Sequence, residues 1–275
     1  MAPIPKPIAL DAAARAPTWR AAYSDRTAAL MAAMAEYAYE PPDVIDLLAA
    51  PSGLRVVGSF DAYGLFAALL VAPGQMAVLE FRGTDCLADW GLDLDAARVA
   101  MPGHPHVHVH AGFWSAWRSM APAVEALLAA HVPPDLGLYI TGHSLGGALA
   151  QLAAMELARD TLAGVYTFGS PRVATEGFDE AVKAPHYRVV NAWDLVPSVP
   201  PAFPGGFAHA GDPRLLVGET PTAALRRDRG LLARTLADAW SLAVWPATHD
   251  LTSVDDHMIW NYRRKLDGIA TARNP

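Results

Sequence analysis

Cysteine is almost absent from this chain: Cys86 is the single one among 275 residues. One thiol cannot form an intrachain disulfide, so folding does not require an oxidising compartment. We therefore expect Cys86 to contribute to packing rather than to chemistry. The fold must depend on its core instead, and a composition of 52% hydrophobic and 18% charged residues suits a large core and argues against disorder.

Long basic runs and long apolar runs are missing as well. The formal charge of −7, without a Lys/Arg cluster, gives no support for a nucleic-acid partner. The longest apolar stretch, residues 231–245, is interrupted by Arg234 and Asp238 and is too short to span a bilayer, so we predict no transmembrane segment. Residues 1–17 lack the continuous apolar region of a signal peptide. We expect a cytoplasmic protein, or a secreted one from which a leader was removed.

Helical and strand patterns alternate along most of the chain. Residues 1–17 are rich in proline and predict an irregular arm, whereas apolar positions at helical spacing predict a helix over 18–40, which Pro41 and Pro42 end. Two apolar segments around the turn residues 61–64 predict a β-hairpin. Further along, short strands alternate with helices, which indicates a mostly parallel sheet with helices on both faces. We expect residues 1–275 to form a single α/β domain.

The C-terminal third has a weaker pattern. Residues 202–220 are dense in Gly, Pro and Asp, which is typical of a loop. Residues 222–245 have a narrow polar stripe and predict an amphipathic helix. Such a helix would either pack on the sheet or form a lipid-facing element near a site.

One short segment, LYITGHSLGGALAQLAA at residues 138–154, combines a strand pattern, a glycine-rich turn and a helix pattern. Its Gly142–Gly146 portion fits the motif G-x-S-x-G, in which glycines allow a sharp turn that exposes the central serine. The backbone N–H of Leu145, at the start of the helix, would point where an oxyanion forms. The segment therefore predicts Ser144 as a nucleophile and Leu145 as an oxyanion donor.

A nucleophilic serine needs a base, and the base needs an orienting carboxylate. Asp194 ends the predicted strand HYRVVNAWD, and a carboxylate at the carboxyl end of a strand lies at the same sheet edge as the elbow. The chain order Ser, Asp, His leaves His209, His249 and His257 as base candidates. We favour His257, which lies at a predicted loop-to-helix junction beside acidic residues that can cap the helix.

Four histidines alternate along the segment GHPHVHVHAGF and would share one face of a strand (His104, His106, His108 and His110). Metal ligation would normally add cysteine or acidic partners, and none adjoins them. We interpret them as part of a strand with polar edge residues. We expect neither a metal nor a cofactor.

Seven segments together resemble the class 3 lipases, the fungal-type family of α/β-hydrolases, across roughly residues 50–262. They occur in the family's order and are VLEFRGTDCLADWGLDL, VHAGFWSAW, YITGHSLGGALAQLAA, VYTFGSPRVATEGF, YRVVNAWDLVPSVPP, FAHAGDP and DDHMIWNY. The resemblance implies the α/β-hydrolase fold. It also implies that Ser144 is the nucleophile, Asp194 the acid and His257 the base, and that Thr84 joins Leu145 as an oxyanion donor.

The same resemblance assigns a lid to about residues 85–94. It also makes His209 a less favoured candidate for the base, because His209 matches a histidine that precedes the catalytic one in the family. Residues 215–248 match no family segment and are interpreted as an insertion at the entrance. The segment around His257 lacks a serine that related bacterial sequences carry after the histidine.

The function implied is that of a serine carboxylic-ester hydrolase, a lipase that degrades acylglycerols through an acyl-enzyme, at a lipid–water interface. Short-chain or aryl esterase, phospholipase A1, polyester hydrolase and acyltransferase activities use the same triad and stay open. A different class of function, an inactive hydrolase fold that only binds lipid, is disfavoured by the complete Ser/Asp/His set. The sequence does not predict an oligomeric state.

Overall fold

The computed structural model describes residues 4–8, 19–84, 97–202, 206–219, 223–227 and 255–273, which form two β-sheets and their flanking helices. The strands are β1 (Arg55–Ala62), β2 (Leu65–Ala72), β3 (Met76–Phe81), β4 (Arg98–Met101), β5 (His104–His110), β6 (Leu138–His143), β7 (Leu162–Phe168), β8 (Ala174–Thr175), β9 (His186–Asn191), β10 (Phe207–Ala208), β11 (Asp212–Val217) and β12 (Ala224–Arg227). The helices are α1 (Asp25–Tyr37), α2 (Pro42–Ala49), α3 (Ala111–His131), α4 (Leu145–Leu157), α5 (Phe178–Ala181) and α6 (Ile259–Arg273).

The larger sheet positions the site. Within the described residues its strand order is β1-β2-β3-β6-β7-β9-β11-β12, and the strands from β3 to β11 run parallel to one another. Parallel strands all end at the same edge. The chain therefore leaves β3, the neighbouring β6 and, beyond β7, β9 at one edge of the sheet, just before Thr84, Ser144 and Asp194. This arrangement confirms the predicted α/β class and is the α/β-hydrolase architecture.

Helices cover both faces of this sheet. Alternate residues of β3 illustrate the division: Leu79 and Phe81 share a core with α3 and α4, whereas Met76 and Val78 share the opposite core with α1 and α6. Strands that are buried on both faces read as continuous apolar runs, as β2 and β7 do. No helix among the described residues is long and apolar enough to cross a membrane.

Local capping explains where two helices begin. The hydroxyl of Ser24 accepts a hydrogen bond from the N–H of Thr27, so α1 starts at Asp25 and not at residue 18. The Nδ1 atom of His110 accepts one from the N–H of Phe113 and ends β5 by starting α3. The predicted hairpin is confirmed by the antiparallel pairing of β1 with β2.

The loop predicted over residues 202–220 is wrong in part, because β10 and β11 lie within it. Strand β11 pairs in parallel with β9. This pairing provides hydrogen-bond partners for backbone N–H and C=O groups of a segment whose local sequence is typical of a loop. The helix predicted over 222–245 is wrong at its start, where β12 pairs with β11. The rest of that helix, the predicted lid at 85–94 and most of the predicted insertion at 215–248 lie outside the described residues.

Glu80 is a buried carboxyl group in the middle of β3. Its side chain is fully buried, and neither oxygen has a hydrogen-bond partner among the described residues. Burial raises the pKa of Glu80 well above 4.5, because the ionised form would lose its hydration without compensation. The folded protein therefore holds this carboxyl group in its neutral form.

Replacement Glu80→Gln should make the protein more stable at alkaline pH. The folded pKa of Glu80 lies above the unfolded value, so its contribution is complete below about pH 4.5 and is lost as pH rises through the folded pKa. A neutral amide avoids that loss. The advantage of the variant should grow by about 1.4 kcal/mol per pH unit within this window. Urea unfolding of both proteins at pH 5 and pH 8 measures it, and an equal difference at the two pH values would contradict the assignment.

The turn between β6 and α4 has no room for side chains at its glycines. A Cβ atom on Gly142 would lie 2.2 Å from the carbonyl oxygen of Gly146. One on Gly146 would lie 2.2 Å from the carbonyl oxygen of Phe81 in β3. Both obstacles are backbone atoms that cannot move aside without displacing the sheet, so glycine is required at both places.

Replacement Gly142→Ala should destabilise the protein by about 3 kcal/mol or more, because one added methyl group overpacks a rigid turn. Gly164 in β7 is the matched control, since a Cβ atom there would come no closer than 3.4 Å to any neighbour. Gly164→Ala should change the free energy of unfolding by less than about 1 kcal/mol. Denaturant titration compares the two variants, and equal losses would show that the turn is not especially tight.

Candidate active site

Ser144 occupies the sharp turn between β6 and α4. Its backbone has φ 57° and ψ −127°, a region that residues other than glycine rarely adopt. The turn is held from both sides, because the N–H of Ser144 donates to the carbonyl of Phe168 at 3.0 Å and its own carbonyl accepts from Gly147 at 2.9 Å. The side chain is 1% exposed, and its hydroxyl has no hydrogen-bond partner among the described residues. The strained turn thus presents an unengaged hydroxyl group.

Asp194 and His257 form a buried pair. The Nδ1 atom of His257 lies 2.9 Å and 2.8 Å from the two carboxylate oxygens of Asp194. A carboxylate only accepts hydrogen bonds, so Nδ1 carries a proton, and in a neutral ring Nε2 then has the lone pair. Nε2 is buried and has no partner within the described part of the chain. The imidazole is therefore in the tautomer that can remove a proton from a hydroxyl group.

Two further donors surround the Asp194 carboxylate. The N–H of Val196 donates to Oδ1 at 2.9 Å, and the hydroxyl of Tyr262 donates to Oδ2. Burial, with the Asp194 charge as a second cause, raises the pKa of Tyr262 well above 10, so the phenol stays neutral and remains a donor. Arg172 holds the following loop by donating to the carbonyls of Ser198 and Pro200. The carboxylate therefore has a fixed position.

The structure brings Ser144 and His257 into one cluster through their neighbours. The ring of His143, the residue before Ser144, packs against the ring of His257 with centroids 4.5 Å apart. The hydroxyl of Ser144 and the Nε2 atom of His257 do not hydrogen-bond to each other. In free enzymes such bonds are often long and tighten only when substrate is bound.

Backbone N–H groups flank Ser144 from two segments. Leu145 is the first residue of α4, where N–H groups have no carbonyl partner four residues earlier in the helix. Thr84 follows Gly83, and a Cβ atom on Gly83 would lie 2.8 Å from the carbonyl oxygen of His143 and 3.2 Å from the Cβ of Ser144. The chain before Thr84 thus passes directly beside the elbow. Leu145 and Thr84 remain the predicted oxyanion donors.

Two other histidines were predicted as candidates for the base. His209 lies between β10 and β11, and His249 falls outside the described residues. Of the four alternating histidines, His110 caps α3 and stacks on Phe113 with ring centroids 4.4 Å apart. The described residues contain no group of three or more His, Cys, Asp or Glu side chains that could hold a metal ion.

Sequence reasoning missed the side chains that support the base. His143, Asn191 and Tyr262 lie within segments that were already singled out, yet only the fold shows that they contact His257 or its neighbours. Tyr39 had no sequence signal at all, and its hydroxyl lies 2.8 Å from Nδ1 of His143. Because this contact spans 104 residues of sequence, no local pattern could have indicated it.

Comparison with known proteins agrees with this geometry. Residues 78–203 match the model of the class 3 lipase family. A lipase of Rhizomucor miehei is 34% identical over 154 residues, which cover 52% of this chain and 42% of that protein. A secreted mono- and diacylglycerol lipase of Fusarium solani is 32% identical over 160 residues, covering 56% of this chain and 47% of that protein. The matched segment thus spans less than half the length of either curated relative.

A solved structure extends the likeness beyond the matched segment. Lipase II from Rhizopus niveus superposes with a TM-score of 0.64 at 27% identity and covers 74% of this chain and 84% of its own. The sequence match over residues 78–203 contains the elbow and Asp194, and the structural match covers a larger share of the chain. Over residues 78–203 the sequence resembles the class 3 lipase family, and the architecture of the described residues is that of the α/β-hydrolases.

Proposed function

We propose that the protein is a serine carboxylic-ester hydrolase that acts on acylglycerols through Ser144, His257 and Asp194. The observation that carries the proposal is the buried Asp194–His257 pair, whose Nε2 has no hydrogen-bond partner among the described residues, packed beside a strained serine turn. A structural serine has no need of a strained backbone, and a structural histidine would normally have a partner at both ring nitrogens. Strain and an open nitrogen at one place are typical of a catalytic site.

The reaction follows from these positions. The hydroxyl of Ser144 attacks the ester carbonyl while Nε2 of His257 removes its proton. Asp194 keeps the Nδ1 proton and stabilises the imidazolium. The N–H groups of Thr84 and Leu145 donate to the oxyanion, and each such donor typically contributes about 10²–10³ in rate. His257 then passes the proton to the leaving alcohol, and water releases the acyl group by the same steps in reverse.

The choice of acylglycerols as substrates draws on the relatives. The two curated relatives are named as a lipase and as a mono- and diacylglycerol lipase. In this chain Trp193, next to the buried Asp194, is 76% exposed. Tryptophan is favoured where water meets apolar chains, so its position at the site edge supports a lipid substrate. One relative is named as secreted, and we extend this to propose that the present protein also meets its substrate outside the cell.

Replacement Ser144→Ala should abolish ester hydrolysis and labelling by a fluorophosphonate probe while the protein stays folded. The methyl side chain fits the same site but cannot attack a carbonyl. Ser119 on α3, whose hydroxyl only bonds to the carbonyl of Ala116, supplies the control Ser119→Ala, which should keep full labelling. Intact-mass spectrometry and thermal unfolding read out both proteins. Hydrolysis at the wild-type rate without Ser144 would refute the nucleophile.

A series of p-nitrophenyl esters of increasing chain length should separate lipase from esterase. For an enzyme that acts on acylglycerols we expect activity on long chains that rises sharply once the ester exceeds its solubility and forms an interface. Activity confined to short, dissolved esters would indicate an esterase instead. Diacylglycerol and phosphatidylcholine emulsions, assayed for released fatty acid, distinguish acylglycerol from phospholipid hydrolysis. Added alcohol, followed by product analysis, detects acyl transfer.

A further inference from the structure

Two side chains hydrogen-bond to consecutive backbone carbonyl groups, those of Asp256 and His257. The carbonyl oxygen of Asp256 accepts a hydrogen bond from Nδ2 of Asn191 at 2.9 Å. The carbonyl oxygen of His257 accepts one from Nε2 of His143 at 2.7 Å. One of these carbonyls precedes the Cα atom of His257 and the other follows it. The two bonds therefore fix both peptide planes that flank the base.

The hydrogen-bonding partners of Asn191 and His143 determine how each of these two side chains is oriented. A Lys ammonium only donates, and Nζ of Lys265 lies 2.8 Å from Oδ1 of Asn191, so the amide nitrogen must face Asp256. A carbonyl only accepts, so Nε2 of His143 carries a proton and its Nδ1 accepts from the hydroxyl of Tyr39. Burial, with His257 as a second cause, lowers the pKa of His143 well below 6.5, so this ring stays neutral.

Asn191 is tied to the acid as well as to the base. Its Nδ2 also bonds to the side chain of Asp256 at 2.9 Å, and its backbone N–H donates to the hydroxyl of Tyr262, which in turn donates to Asp194. Lys265, although buried, is paired with Glu219 at 3.2 Å in addition to Asn191. A buried charge that lost its partners would be costly, so the network resists partial opening.

We propose that Asn191 and His143 are positioning residues that clamp the main chain of His257 and aim its Nε2 atom at Ser144; the inference rests on the proposed triad. The bond from Asp194 to Nδ1 restrains only one point of the ring, about which the ring can pivot. The clamp removes that freedom at the backbone. Its two arms extend from β9, which leads to the acid, and from β6, which leads to the nucleophile. The two hydrogen bonds thereby fix the position of His257 relative to both Asp194 and Ser144.

Variants of His143 test the first arm. His143→Leu removes the N–H donor, whereas His143→Gln places an amide N–H near the position of Nε2. Loss of aim by about 1 Å costs roughly 10²-fold, so kcat per titrated active site should fall about 10- to 100-fold in the leucine variant with little change in KM. The glutamine variant should recover most of it. A merely structural role would lower the unfolding temperature and leave kcat per active site unchanged.

Asn191→Asp tests the second arm with almost no change in shape. The new carboxylate still accepts from Lys265 but cannot donate to Asp256, so kcat should fall while the protein remains folded. Thr167→Val is the matched control: it also deletes a buried hydrogen bond, that from Thr167 to His186, which lies outside the clamp. It should lose stability without losing kcat per active site.

Fluorophosphonate titration before each assay makes the two levels of inference distinguishable. If the wild-type protein hydrolyses no ester, or if Ser144 takes no label, the proposed function fails and the clamp fails with it. If hydrolysis depends on Ser144 but the His143→Leu and Asn191→Asp variants keep the wild-type kcat, only the clamp is overturned. Should the leucine variant not fold, the aspartate variant alone decides.

Discussion

The parallel pairing of β3, β6, β7 and β9 is the constraint on which the site depends. Because each of these strands ends at the same edge, segments far apart in sequence leave the sheet as neighbours. The pairing leaves so little space that the turn after β6 accepts only glycine at Gly142 and Gly146. The strained conformation of Ser144 is a consequence of that crowding, and the surrounding hydrogen bonds make it sustainable.

Burial then determines which groups at the site can hold charge. Removal from water favours the neutral forms of His143, Tyr262 and, deeper in the sheet, Glu80. The carboxylate of Asp194, in contrast, is met by donors from a backbone amide, a phenol and an imidazole. These donors hold the carboxylate beside His257, where the proposed mechanism needs it.

The sequence was most informative where structure is decided locally. The elbow could be predicted because strand, glycines and helix follow one another within 17 residues, 138–154. Asp194 was found from its place after a strand, but His257 could be separated from His209 and His249 only by favouring a helix junction. The structure now pairs His257 with Asp194, and the catalytic roles of both residues stay predictions.

What the sequence could not indicate depends on contacts between distant segments. Strand β11 was interpreted as a loop because the residues around it are dense in Gly, Pro and Asp, whereas its backbone hydrogen bonds come from pairing with β9 and β12. Tyr39, Asn191 and Lys265 belong to unremarkable helix and strand patterns, and their roles exist only once the sheet and helices are assembled.

The hydrogen bonds that hold His257 have a consequence for how the sequence of such a protein can change during evolution. The described anchors of this residue are the side chains of His143 in β6, of Asn191 in β9 and of Asp194 after β9, the last held in turn by Tyr262 of α6. A histidine held from the sides does not need the preceding connection to have any particular length. Evolution can therefore change the chain ahead of His257 without altering the contacts that hold this residue.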